Sequence, residues 1–358
     1  MKKVLKLILT AAMALGLCAC GGNDGNGDDK DVTKVAILLP KVGDQSYCDV
    51  TAHAKVLLEA KYGDAIVVDV KEMGDDAAGW EPANRLAVED GYDIIVSGNF
   101  QYEAAMLAVA KDNPEVKYVN FDYSDPAANA LPNVYAITYA AHEIGYLTGV
   151  VAAVKSKTGI IGGVCGMNIP SMNQFMAGYI QGASDVNPNI KVMISYVGNF
   201  SDMGIASNQA NNMIKKGADV IWGCAGGAGN GVFEAAAQTT GVWALGVDTD
   251  QYVSLKDKEN LAATILTSGL KNVDVGVTAA VSEIIEGTAP FGTAKMLGYK
   301  DGAVGLAEND YYKSNMTEDE LAKVKSFADK VLNGETKVVD EVAQPGVFDQ
   351  YYNQYGLK

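Results

Sequence analysis

The chain has 358 residues, 48% of them hydrophobic, which is enough for more than one core and for two domains of ordinary size. Against 28 Lys and Arg stand 44 Asp and Glu, a formal net charge of −16. That balance argues against nucleic acid, which needs basic residues opposite phosphate, and against strongly anionic ligands.

At the start, Lys2, Lys3 and Lys6 precede an apolar stretch from Leu7 to Leu17 that is too short to span a bilayer. Leu17-Cys18-Ala19-Cys20 then resembles a bacterial lipobox, which implies removal of residues 1–20 as a signal and acylation of Cys20. Residues 21–33 are Gly, Asn and Asp with almost nothing to bury, the composition of a flexible tether. The expected location is the cell membrane, lipid-anchored on its extracytoplasmic face. No later segment has the apolar length of a membrane helix.

From Lys34 onward, short apolar runs alternate with helical stretches. VAILLP, AIVVDV, IIVSG and KYVNFD are predicted strands, and AKVLLEA, PANRLAVED and AAMLAVAKD lie in the helices between them. The second half repeats the plan with the strands GIIGGVCG, KVMISYV, VIWGCAGG and VWALGVD, separated by the helices FMAGYIQGAS, ASNQANNMIKKG and GVFEAAAQ. Near the end, Thr317 and Glu320 form a capping-box pattern, Leu321, Val324, Ala328 and Val331 make an apolar stripe, and Gly334 stops the helix.

Two stretches share one plan closely. In residues 88–125 and 213–250, a Gly-x-Asp opens a strand, a turn and an Ala-rich helix follow, and a second strand ends on Asp. The same number of residues separates Asp93 from Asp122 and Asp219 from Asp248. A duplicated βαβ unit predicts two similar α/β lobes, each with a parallel sheet. Ligands of such sheets bind beyond the carboxyl ends of the strands, so Asp122 and Asp248 are expected to face a shared cleft. The expected division puts 34–138 plus about 265–293 in the first lobe, and 139–264 plus about 294–358 in the second.

Chemistry-bearing residues are few. His53 and His142 fall in helices or at their starts and suit neither a catalytic triad nor a metal site, so neither catalytic residues, metal nor cofactor are expected. Cys48, Cys165 and Cys224 lack metal or redox spacing and read best as small core residues. The turn Gly223–Gly231 is not a Walker motif; it brings backbone close to a phosphate or to a bulky uncharged group. Tyr47 and Trp222, at strand ends in different lobes, are candidates to sandwich a planar ring, each face contributing about 1–3 kcal/mol. Asp122, Asp248 and Lys271 are candidates for hydroxyl and ring N–H recognition, at about 1.5–3 kcal/mol per charged hydrogen bond.

The segments GDQSYCD (43–49), HEIGYLTGVVAA (142–153), GIIGGVCGMNIPSMNQFMAGY (159–179), AGGAGNGVFEAA (225–236), GVDTDQ (246–251) and LTSGLKNVDV (266–275) resemble the basic membrane protein family of ABC transporter substrate-binding lipoproteins. That family's best-known members are purine nucleoside receptors. The resemblance implies a type I periplasmic-binding fold with a hinge cleft, a nucleoside-like ligand and an ABC permease as partner. It implies that Tyr47 and Trp222 stack on the base, Asp122 reads the base edge, Asp248 and Lys271 hold the ribose, and Gly227 lies beside the sugar. Asp44, Cys48 and Phe175 join the candidate ligand-binding set from the same segments. Cys48 stands where the family has Asn, which leaves riboflavin or a free base as alternative planar ligands. A ligand-sensing subunit would present the same cleft, and an α/β enzyme is disfavoured by the missing base and nucleophile.

Overall fold

Every apolar run read as a strand forms one, in a computed structural model that describes residues 32–357. The lipobox, Cys20 and most of the tether lie outside the described residues. In chain order the first part comprises β1 (Thr33–Leu39), α1 (Tyr47–Tyr62), β2 (Ile66–Glu72), α2 (Trp80–Glu89), β3 (Ile94–Val96), α3 (Glu103–Asp112), β4 (Lys117–Asn120) and β5 (Val134–Tyr139). There follow α4 (Ala141–Lys155), β6 (Ile160–Cys165), α5 (Pro170–Val186), β7 (Lys191–Tyr196), α6 (Met203–Lys215), β8 (Val220–Cys224), α7 (Asn230–Ala237) and β9 (Trp243–Asp248). The last part holds α8 (Gln251–Ser254), α9 (Glu259–Ala262), β10 (Ile265–Lys271), α10 (Val273–Ile285), β11 (Thr293–Leu297), β12 (Val304–Leu306), α11 (Asp310–Ser314), α12 (Glu318–Leu332) and α13 (Val347–Tyr355).

The strands sort into two six-stranded sheets, ordered β11-β5-β4-β3-β1-β2 and β12-β10-β9-β8-β6-β7. The two orders correspond strand for strand, as a duplication requires. Neighbours run parallel throughout except β10 with β12. Both faces of parallel sheets must be covered by helices, and the central strands are accordingly buried along nearly their whole length.

The duplicated aspartates also do matching structural work at the strands' amino ends. Asp93 accepts the amide of Lys34 at 2.8 Å, and Asp219 accepts those of Lys157 and Thr158 at 2.7 and 3.0 Å. In each lobe the carboxylate before the third strand thereby pins the chain entering the first.

Of the stretch from about 265 to 293 expected in the first lobe, strand pairing moves only 265–271 to the second. β10 lies beside β9 in the second sheet, and only then does the chain return, α10 packing on α1 and β11 pairing with β5. An apolar strand followed by a helix reads the same in either lobe; pairing alone decides where it sits. Crossings therefore follow Tyr139, Lys271 and Leu297, and Lys271 stands at one of them.

Within the second lobe α4 and α5 cross at backbone contact. A Cβ added to Gly149 would meet the carbonyl oxygen of Tyr179 at 2.1 Å, and one added to Gly182 that of Tyr146 at 2.1 Å. The absence of side chains there lets α5 lie close enough for Phe175 and Tyr179 to cover the Trp222 ring.

Candidate functional site

The carboxyl ends of the two sheets face one another, and the residues placed there come from both lobes. Asp122 follows β4 and Asp248 ends β9, as the repeat requires, and each is only 6% exposed. Lys271, at the end of β10, reaches across to Asp122 and donates to its Oδ2. Asp122 also accepts from Thr138 Oγ1 at 2.7 Å and from the Tyr47 hydroxyl at 3.2 Å. Around the Lys271 ammonium stand the rings of Tyr47, Tyr139 and Phe175, with centroids at 5.2, 5.4 and 5.7 Å. Rings at that range stabilise a desolvated cation by about 2 kcal/mol. Burial, then the neighbouring Asp122 carboxylate, pushes the Tyr47 phenol well above its ordinary range, so it stays a donor.

Asp44 and Cys48 lie where α1 begins. The Asp44 carboxylate accepts the amides of Ser46, Cys48 and Asp49 at 3.0, 2.9 and 3.1 Å, capping the helix. Burial raises its pKa against those bonds. The Cys48 thiol is raised further, by burial first and then by Asp44. Gly227 comes up against this loop from the other lobe: a Cβ there would sit 3.6 Å from Asp44 Cβ.

The expectation for Trp222 is corrected. Its side chain is 0% exposed, its Nε1–H donates to the Gly246 carbonyl at 2.9 Å, and Phe175 and Tyr179 pack on its ring at 5.9 and 5.2 Å. A strand-end position does not make a face accessible when a helix lies over it, and α5 does. Phe175 stands between Trp222 and Lys271 and is the aromatic that this lobe presents to the ion pair.

Four further residues escaped the sequence reading. Thr138 and Tyr139 end β5, which sits at the first lobe crossing, and Ser46 lies at the N-cap of α1. Phe200, in the turn after β7, meets Phe100 of the first lobe edge to face at 6.0 Å. Residues 197–202, VGNFSD, follow a predicted strand and could have suggested Phe200 by the same strand-end rule as Tyr47. His53 is half exposed and bonds Asp274 at 2.8 Å, while burial holds His142 below its usual range.

Asp248 adopts φ +68°, a left-handed conformation, and its Oδ2 accepts from Ser46 Oγ at 2.5 Å. Burial raises its pKa to about 6, opposed by Lys271 and Ser46 and reinforced by Asp44 and Asp122. A carboxyl whose pKa is higher in the fold than in the unfolded chain holds its proton more tightly when folded. Its stability contribution is therefore full below about pH 4 and is lost as pH rises through 6, a loss of about 3 kcal/mol. Asp248→Asn should flatten the fall in stability between pH 4 and 7, as read by urea denaturation. An unchanged profile would mean that Asp248 is not desolvated in solution.

Two buried carboxylates, one ammonium and several ring faces converge between lobes. This set can accept hydrogen bonds from hydroxyls or ring N–H groups, donate one charged bond, and cover an apolar face.

Comparison with known proteins agrees with that architecture. A solute-binding protein of an ABC transporter system from Aeropyrum pernix K1 superposes with a TM-score of 0.75 at 25% identity, covering 90% of this chain and 98% of that one. The "CD4+ T-cell-stimulating antigen" of Listeria innocua is 30% identical over 94% of this chain and 97% of its own. The "ABC transporter nucleoside-binding protein BmpA" of Lactococcus lactis is 34% identical over 67% of this chain and 70% of its own. The family model for Bmp, the PnrA-like ABC transporter substrate-binding proteins, matches residues 35–340. With two like sheets meeting at their carboxyl ends and a match over most of its length, the chain belongs to the Bmp family: it is an extracytoplasmic substrate-binding protein of an ABC transporter, not an enzyme, with a small-molecule ligand and a permease partner.

Proposed function

We propose that this protein captures a purine nucleoside between its lobes and delivers it to the permease, held at the membrane by a lipid on Cys20. The observation that carries the reading is the pairing of Asp122 with Asp248 at equivalent strand ends, with Lys271 and the aromatic rings beside them. Asp248 and Lys271 suit ribose hydroxyls, Asp122 a base edge, and Tyr47 and Phe175 a flat apolar face. The name of the Lactococcus relative supports a nucleoside. The lipobox sequence Leu17–Cys20 supports the anchor.

A thermal-shift screen of the chain from Thr33 onward, which carries all the strands of both sheets, tests the ligand class. A ligand that binds only the folded state stabilises it by about 2.7 kcal/mol at one hundred times its Kd. Guanosine or inosine should raise the melting temperature by several degrees, while ribose, hexoses and amino acids leave it unchanged. A response to riboflavin or a free base without one to nucleosides would replace the ligand and keep the fold.

A further inference from the structure

We propose that Ser46 is a cross-lobe clasp: its hydroxyl, released from helix capping by Asp44, holds Asp248 of the opposite lobe, aims that carboxylate at the ligand and slows the ligand's release. The inference rests on the nucleoside reading only for the identity of the ligand.

Ser46 occupies the N-cap position of α1, where serine ordinarily accepts an amide of its own helix, yet its side chain makes no such bond. Asp44 has taken over that task, accepting the amides of Ser46, Cys48 and Asp49, while Asp49 accepts those of Gly43 and Gln45 at 2.6 and 2.8 Å. The Ser46 hydroxyl, fully buried, instead points across the gap to Asp248 Oδ2 at 2.5 Å, with the Val247 carbonyl at 3.4 Å. Among the described residues it is the donor that reaches the Asp248 carboxylate, and Oδ1 is left for a ligand hydroxyl.

A second contact joins the same two loops, Gln251 Nε2 donating to the Gln45 carbonyl at 3.0 Å. Gln45 and Asp248 have φ of +57° and +68°, and among the described residues they are the two non-glycine positions in the left-handed region. One belongs to each lobe, and both lie at this contact. Backbone strain of that kind persists only where surrounding contacts hold it. Both positions lie where the lobes must part for a ligand to leave, beside the Ser46 to Asp248 contact.

Ser46→Ala and Ser46→Thr, made in the chain from Thr33 onward, separate the clasp from a plain helix cap. Small-angle scattering of ligand-free protein should show Ser46→Ala shifted to a larger radius of gyration than wild type, with Ser46→Thr at the wild-type value. Guanosine should leave Ser46→Ala about tenfold faster in stopped flow, as loss of one charged hydrogen bond implies, with an association rate within about twofold of wild type. Superimposable scattering curves for wild type and Ser46→Ala would overturn the proposal whatever the ligand does. So would a Ser46→Ala chain that no longer folds, since the hydroxyl would then be a structural cap. If wild type binds no nucleoside, the scattering comparison still decides the clasp, and only the ligand assignment fails.

Discussion

Replacing Lys271 with methionine should destabilise the protein by about 3–5 kcal/mol at pH 8, because it leaves the Asp122 carboxylate buried without its counter-charge. Lys271 and Asp122 are each 6% exposed, and the lysine stem and ammonium are enclosed by Tyr47, Tyr139 and Phe175. Thr138 and Tyr47 still donate to Asp122 in the variant, but neutral donors do not replace an ammonium. Adding Asp122→Asn should restore most of the loss at pH 8, since no unpaired charge remains. Urea midpoints of the single and double variants at pH 8 measure this; a loss below about 1 kcal/mol would show that the pair is solvated.

Trp222→Ala should cost about 3–5 kcal/mol in the ligand-free protein, the range for emptying a large aromatic site in a core. The ring is covered by Phe175 and Tyr179, and truncation also strands the Gly246 carbonyl that its Nε1–H satisfies. Loss of ligand affinity should follow only through Phe175, which packs against the indole. An apo stability within about 1 kcal/mol of wild type, together with a large loss of affinity, would instead return Trp222 to the ligand's face.

What could be read in the sequence follows from what a local pattern encodes. Equal spacing of Asp93 to Asp122 and Asp219 to Asp248 carried the duplication, and the two sheet orders repeat it strand for strand. The capping box of Thr317 and Glu320 forms as its spacing implied, with each side chain bonding the other's backbone amide. Tertiary placement was less legible. Nothing in TSGLK says which sheet its strand joins, so neither the place of β10 beside β9 nor the contact of Lys271 with Asp122 could be read from it. Trp222 failed for a related reason: its strand-end position is visible in sequence, but the glycine-based crossing that brings α5 over it involves Gly149 and Gly182, in segments far from it in the chain. Ser46 was hidden because its neighbour Asp44 performs the capping role that a serine at that position advertises.

The central claim is that one flat, uncharged molecule sits between the lobes within reach of Asp122, Asp248 and Lys271. A crystal structure of the protein grown with guanosine tests it most directly. The account predicts a base lying against the Tyr47 or Phe175 ring and ribose hydroxyls on Asp248 Oδ1; guanosine bound away from the gap, or a gap occupied without contact to either aspartate, would contradict it.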